Sequence, residues 1–218
     1  SRFSGTDGAN TTGSPSGRRL FFRRLDAGVV GEAIDAAVVQ AAEGSRIVLR
    51  SSVESSGGRV AEVTVVDVLP TLAAGAAQTP AAGTPSVSLA EDGTVSVGLT
   101  GLAAPTRSTA AVVIRGEGSQ VSATDTIVAR YTIVSWSGGT VRTTNYGWTA
   151  ALGTIDMTDT LAGLAQGLVD VPVGSRVVLS LPADQARGDE PVAVVVDVLA
   201  IVEGGAAPSD AASAPATP

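Results

Sequence analysis

One repeat constrains this chain more than any other feature. Shifted by 130 positions, GSRIVL at residues 44–49 falls on GSRVVL at 174–179, and VVDVL at 65–69 falls on VVDVL at 195–199. Both matches hold at one offset, with no gap between them. Two unrelated valine-rich strands would share valines, but not the Gly-Ser-Arg or the Asp. The chain therefore reads as one unit written twice. The same offset lays EAIDAAV (32–38) on AGLAQGL (162–168), each with apolar residues at helical spacing over two turns. Thr158 and Asp159 supply a helix-start signal in the second copy, and Asp26 opens the helical region in the first.

The remaining segments are strand-like. TIVARYTIVSW (126–136), AAVVIRG (110–116), RVVLSL (176–181) and VAVVVDVLAIV (192–202) are rich in β-branched residues, and Ser137-Gly138-Gly139 is a hairpin turn signal. Strands interrupted by one short helix per copy predict an α+β fold with antiparallel sheets. Residues 72–85 (LAAGAAQTPAAGTP) read as a linker and 203–218 as a disordered tail. The offset places the counterpart of residues 110–130 before Ser1, so the first copy starts near the equivalent of Tyr131. It is expected to show an incomplete sheet or a foreign strand at its edge. Asp67 and Asp197 alternate with valines in matching strands, which predicts a solvated strand face at both.

Composition narrows the chemistry. The 218 residues have room for two domains, and 44 % apolar residues allow a core of Val, Ala and Leu, aromatics being only 3 %. With no His and no Cys, the chain has no Ser-His-Asp triad, no thiolate nucleophile, no disulfide and almost no route to a zinc site. Neither a metal nor a cofactor is expected, since no metal cluster, phosphate loop or nucleophile elbow appears. The net charge is −7, all fourteen basic residues are Arg, and the grouping Arg18, Arg19, Arg23, Arg24 reads as a solvated strand or a local partner contact. Nucleic acid is thus a poor partner. No stretch approaches the roughly twenty apolar residues of a membrane span. The chain begins Ser-Arg-Phe without Met, so a processed or partial form is expected, with any signal peptide or lipid-bearing terminus upstream of Ser1.

The second copy resembles the FKBP family of peptidyl-prolyl isomerases over most of residues 110–202. The likeness rests on motifs in the family's order: DTIVARYT (125–132), SGGTVRTT (137–144), AALG (150–153), TLAGLAQGL (160–168), VGSRVVLSLPAD (173–184) and VVVDVLAI (194–201). Each motif alone is weak; their order is specific. RGEGSQV (115–121) and PSVSLAEDGTVSV (85–97) are similar to tandem FKBP-type envelope proteins of actinobacteria, which are often lipoproteins. The resemblance implies tandem FKBP-like domains, each an antiparallel sheet wrapped around one short helix. It sets the first at 1–71, N-terminally incomplete, lead-in strands at 86–109 and the second at 110–202.

In that family a dry, aromatic-walled pocket holds proline while the amide twists out of resonance, and no nucleophile takes part. Carried over by position, Tyr131 keeps the strand tyrosine and Trp148 takes a wall phenylalanine. Leu161 keeps the apolar residue whose N–H anchors the ligand, and Leu164 replaces the floor tryptophan. Val141 and Arg142 replace the Phe-Asp pair, Arg187 stands for the loop tyrosine, and Val194 replaces a floor phenylalanine. The flap between Gly188 and Pro191 is shortened. Core packing is the alternative reading of Tyr131 and Trp148. The resemblance implies a catalytically degenerate, extracytoplasmic module of the cell envelope. It would bind proteins or proline-containing peptides, as a scaffold or as a subunit of a larger membrane-attached complex, lipid-anchored through residues upstream of Ser1. The alternatives are a working isomerase and folding chaperone, or a plain structural domain.

Overall fold

The computed structural model describes residues 2–6, 11–12, 18–20, 31–55, 58–186 and 188–202. Asp26, Arg23, Arg24, Arg187 and the tail at 203–218 lie outside the described residues. The elements follow in chain order. The first group is β1 (Arg2–Thr6), β2 (Thr11–Thr12), β3 (Arg18–Leu20), α1 (Glu32–Val39), β4 (Arg46–Ser55) and β5 (Gly58–Asp67). A middle group follows: β6 (Ala76–Ala77), β7 (Ser86–Leu89), β8 (Val95–Gly98) and β9 (Thr109–Arg115). The last is β10 (Thr126–Ser135), β11 (Val141–Thr144), β12 (Gly153–Asp156), α2 (Ala162–Leu168), β13 (Arg176–Leu181), a 3₁₀ turn at Ala183–Gln185 and β14 (Val192–Val202). Among the described residues every strand pairing is antiparallel and the two α-helices are short, so the fold is α+β.

The offset of 130 is visible as geometry. α1 and α2 begin on Glu32 and Ala162, at matching positions. Gly44 and Gly174 both turn the chain with positive φ, +82° and +94°, a backbone that Cβ-bearing residues rarely adopt. The amide of Gly44 donates to the Val68 carbonyl at 2.7 Å, and that of Gly174 to the Val198 carbonyl at 2.7 Å. Arg46 pairs across the ladder with Asp67, and Arg176 with Asp197. In each case two guanidinium nitrogens grip the carboxylate, at 2.5 and 3.0 Å in the first half and 2.6 and 2.7 Å in the second. β1 continues the correspondence: Arg2, Phe3 and Ser4 face Asp67, Val66 and Val65, as Arg130, Tyr131 and Thr132 face Asp197, Val196 and Val195. Phe3 therefore holds the ladder position of Tyr131.

The halves differ in what covers them. The second sheet runs β11-β10-β14-β13-β9-β6, with β12 also on β10. One of its faces packs on α2 through Leu164, Leu168, Leu179 and Leu181, all nearly or wholly buried. Burying such a side chain stabilises by roughly 1.5–3 kcal/mol. Its other face is closed by the β7–β8 hairpin and Tyr146, which pack on Val178 and Val195. In consequence Asp197 is fully buried, which corrects the expectation of a solvated face at that position. Its counterpart Asp67 is half-buried. The matching sheet of the first half pairs β2-β1-β5-β4, and among the described residues β4 has no strand on its outer side.

Residues 71–78 are stitched to the second sheet. Ala73 donates its amide to Asp197 at 2.9 Å, Ala74 donates to the Gly174 carbonyl at 2.9 Å, and β6 pairs with β9. The Arg130 guanidinium, buried, donates to the carbonyls of Thr71, Asn145, Gly147 and Ala150. Among the described residues no helix is long and apolar enough to cross a membrane.

Candidate functional site

Side chains on one face of a strand recur at every second position, so Tyr131 and Ile133 of β10 point the same way. They do so toward α2 and β12, where a cavity of about 240 Å³ opens. Tyr131, Ile133, Ile155, Leu161, Leu164 and Val194 form its apolar lining, and Thr154, Asp156, Asp159 and Thr160 complete it. Leu164 and Val194 are buried at its base, whereas Tyr131 and Leu161 are half-buried. The cavity lies at the entry to α2, where the β12–α2 loop brings Asp159, Thr160 and Leu161 against the sheet.

Two local devices fix the tyrosine. The Asn145 carboxamide accepts from the Tyr131 amide at 2.6 Å and donates to the Ala129 carbonyl at 3.1 Å, pinning β10. Gly153 then leaves the space the ring needs. A Cβ there would stand 3.0 Å from Tyr131 Cε1 and 3.0 Å from Asn145 Nδ2, tighter than side chains normally approach. On the polar side, Asp156 accepts from both the Thr158 amide (2.8 Å) and its hydroxyl (2.7 Å). These hydrogen bonds hold its carboxyl below the usual range, the hydroxyl contributing most, so the rim carries negative charge at neutral pH.

Of the eight residues expected from sequence, Tyr131, Leu161, Leu164 and Val194 meet at this cavity. Three stand elsewhere. Trp148 is 54 % exposed; its indole N–H donates to the Glu91 carbonyl at 2.7 Å and its ring lies over Gly93, on the turn between β7 and β8. Val141 is 48 % exposed on the edge strand β11. Arg142 is turned to the β14 side of that edge, donating to Ser135 Oγ at 2.7 Å and to Glu190 at 2.7 Å. With the Ser137 hydroxyl donating first and Arg142 and Ser135 adding to it, the Glu190 carboxyl is pushed down to about 2. Arg187 lies outside the described residues. The sequence reading missed Ile133, Ile155 and the four polar lining residues. Ile133 was available from strand alternation with Tyr131, and Asp156 from the Asp-x-Thr spacing that makes a local turn.

What this arrangement can do is bounded by its atoms. An apolar cavity of this size accommodates a proline ring or one aliphatic side chain. Among the described residues its walls offer a single aromatic ring, Tyr131, and its rim offers hydroxyls and carboxylates.

No family model matches the chain, and no curated protein matches it. Solved structures similar to it include a peptidyl-prolyl cis-trans isomerase from Pseudomonas syringae pv. tomato, at 17 % identity and TM-score 0.39 over 44 % of this chain and 76 % of that one. FkpA from Escherichia coli is similar at 18 % identity and TM-score 0.39, over 43 % of this chain and 47 % of that one, so the likeness spans about half of FkpA. The three FKBP domains of wheat FKBP73 align at 13 % identity and TM-score 0.40, over 78 % of this chain and 73 % of that one.

Proposed function

We propose that residues 110–202 are an FKBP-like domain that binds extended, proline-containing protein segments and catalyses their isomerisation weakly or not at all. In this reading 1–71 belongs to its tandem copy, 72–85 is the connection and 86–109 the lead-in strands. The observation that carries it is the cavity beside Tyr131, which is large enough for a proline ring but has aliphatic walls where rings would stand. A twisted prolyl amide is less polar than a planar one, so a dry, ring-lined site favours it. Here Leu164 and Val194 occupy the base where rings are expected by resemblance, and each missing ring forgoes roughly 0.5–1.5 kcal/mol beyond area burial. Several missing rings together correspond to orders of magnitude in rate. The setting in the cell envelope, a lipid anchor and a membrane-attached complex belong to this reading on the sequence resemblance alone.

A working isomerase is the second reading, and the observation in its favour is that Tyr131 faces the cavity. One titration separates the two. The full chain is titrated with a Leu-Pro tetrapeptide while amide shifts and cis–trans exchange peaks are followed by NMR. The expected result is fast-exchange shifts at Tyr131, Ile155, Leu164 and Val194 with no acceleration of exchange, and partial acceleration in Leu164→Trp. Exchange in the unmodified chain accelerated as strongly as, or more than, in Leu164→Trp selects the second reading. No shift at these four residues defeats both.

A further inference from the structure

The cavity beside Tyr131 has an apolar base and a mouth of one electrical sign. Asp156 ends β12 and Asp159 follows in the loop to α2. Both are exposed, yet they line the same cavity as the buried Ile155, Leu164 and Val194. Thr154 and Thr160 add hydroxyls there and no charge. Among the described residues no basic side chain lines the cavity. Arg142, which the family resemblance places there, is held aside by Ser135 and Glu190 at 2.7 Å each, and Glu190 matches its charge. Arg130, next to Tyr131 in β10, points to the opposite face of the sheet, where four backbone carbonyls receive it. At Asp156 both Thr158 hydrogen bonds fall on one oxygen, Oδ1, at 2.8 and 2.7 Å. A carboxylate has about four lone-pair sites, so these bonds fix its orientation and leave it able to accept more. They also keep it ionised.

We propose that this cavity selects segments in which an Arg or Lys flanks the seated proline, with Asp156 and Asp159 receiving the cation. This rests on the reading of the cavity as a peptide site and names the class of segment it takes. The proline ring sits on Leu164 and Val194, where contact is aliphatic. Successive residues of an extended segment lie only about 3.3 Å apart, less than the reach of an Arg or Lys side chain, so a flanking cation comes to the mouth. Its methylene stem covers the apolar wall while its head meets the carboxylates. A flanking Glu meets like charge at the same place. The two aspartates are therefore specificity-determining residues, and the aliphatic base supplies the contact common to every proline segment.

The probes are end-capped peptides Ala-Xaa-Pro-Yaa-Ala with Arg, Leu or Glu at Xaa or at Yaa, titrated into the full chain while amide shifts are followed by NMR. Exposed charge pairs are weak singly, so the Arg peptide of one series is expected to bind about three- to tenfold more tightly than its Leu counterpart at low salt. Glu is expected to bind more weakly than Leu. The Arg-to-Leu ratio should fall toward one on going from about 10 mM to about 1 M salt, where the screening length drops tenfold. It should fall likewise in Asp156→Asn and in Asp159→Asn, each a near-isosteric change at an exposed position; the amide spectrum verifies the fold, and either variant gives the readout alone. Equal affinities for Arg, Leu and Glu peptides, or a preference for Glu, overturn the proposal and leave the peptide-site reading standing. An Arg preference that persists in the double variant Asp156→Asn with Asp159→Asn overturns it too, since the cation then binds elsewhere. No shift at Tyr131, Ile155, Leu164 and Val194 with any peptide defeats the reading and the proposal together.

Discussion

The same Arg–Asp clamp occurs twice in this molecule in two environments, and removing one partner in each place is a direct test of how burial sets its worth. Asp197→Asn keeps shape but withdraws the charge that Arg176 depends on. Arg176 and Asp197 have side chains 8 % and 0 % exposed, and Asp197 also receives the Ala73 amide. Burial works against the Arg176 charge, and the hydrogen bonds and charge of Asp197 outweigh it, leaving its pKa raised. Tyr146, 5.8 Å from the guanidinium, is itself pushed upward by burial and by Asp197, so no alternative anion stands in. Breaking a buried pair by removing one member costs about 3–5 kcal/mol, because the remaining charge is stranded. At about 4–8 °C per kcal/mol for a unit of this size, Tm should fall by more than about 12 °C. Asp67→Asn should do far less, since Arg46 is 69 % exposed and water solvates it once the partner is gone. Both tryptophans, Trp136 and Trp148, lie in the second half, so their fluorescence reports its unfolding and far-UV circular dichroism reports the whole chain. The double variant Arg176→Met with Asp197→Leu should recover part of the loss, as an apolar pair of similar volume does elsewhere. Equal Tm shifts for Asp67→Asn and Asp197→Asn would refute the reasoning.

Three further outcomes are expected. Gly153→Ala should displace the Tyr131 ring and weaken Leu-Pro peptide binding several-fold in the NMR titration, with a stability loss of order 1 kcal/mol. Gly174→Ala should lower Tm more than Gly44→Ala in thermal melts: both carry the positive-φ strain, but only at Gly174 would the new Cβ meet a backbone atom, the Ala74 carbonyl oxygen at 2.9 Å. Glu190 titrates near 2 in the folded chain and near 4.5 unfolded, so its stabilising contribution is complete above pH 4.5 and fades as pH falls toward 2; Glu190→Gln should flatten that acid limb in pH-dependent melts.

The sequence was most informative where the physics is local or repeated. Helical spacing placed α1 and α2 to within a residue or two, and the offset of 130 carried the glycine turns and the Arg–Asp clamps with it. Four cavity residues, Tyr131, Leu161, Leu164 and Val194, were reached through the family resemblance, carried over position by position. The failures share a cause. Asp67 and Asp197 have the same neighbours in sequence, and what makes Asp197 a core residue comes from far along the chain: the Ala73 amide bonded to it, and Tyr146 and the β7–β8 hairpin closing its face of the sheet. Trp148 is held by Glu91 and Gly93, and Arg142 by Glu190, contacts across more than forty positions that no local pattern announces. Polar lining residues in the β12–α2 loop were invisible for the opposite reason: hydroxyls and carboxylates in a loop read as solvent-facing wherever they occur.

The anchoring of residues 71–78 has a mechanical consequence. Glu43 in the first half accepts from the amide and the hydroxyl of Thr71, and the Thr71 carbonyl is gripped by Arg130 in the second. Next come the Ala73 and Ala74 bonds, the β6–β9 rungs and the Gln78 amide on the Val113 carbonyl. Tension passing from one half to the other thus enters the second sheet through several bonds, to Arg130 of β10, Asp197 of β14, Gly174 and the length of β9. Bonds loaded side by side resist in shear and yield together, whereas a slack tether would have let the halves drift apart before either felt the pull.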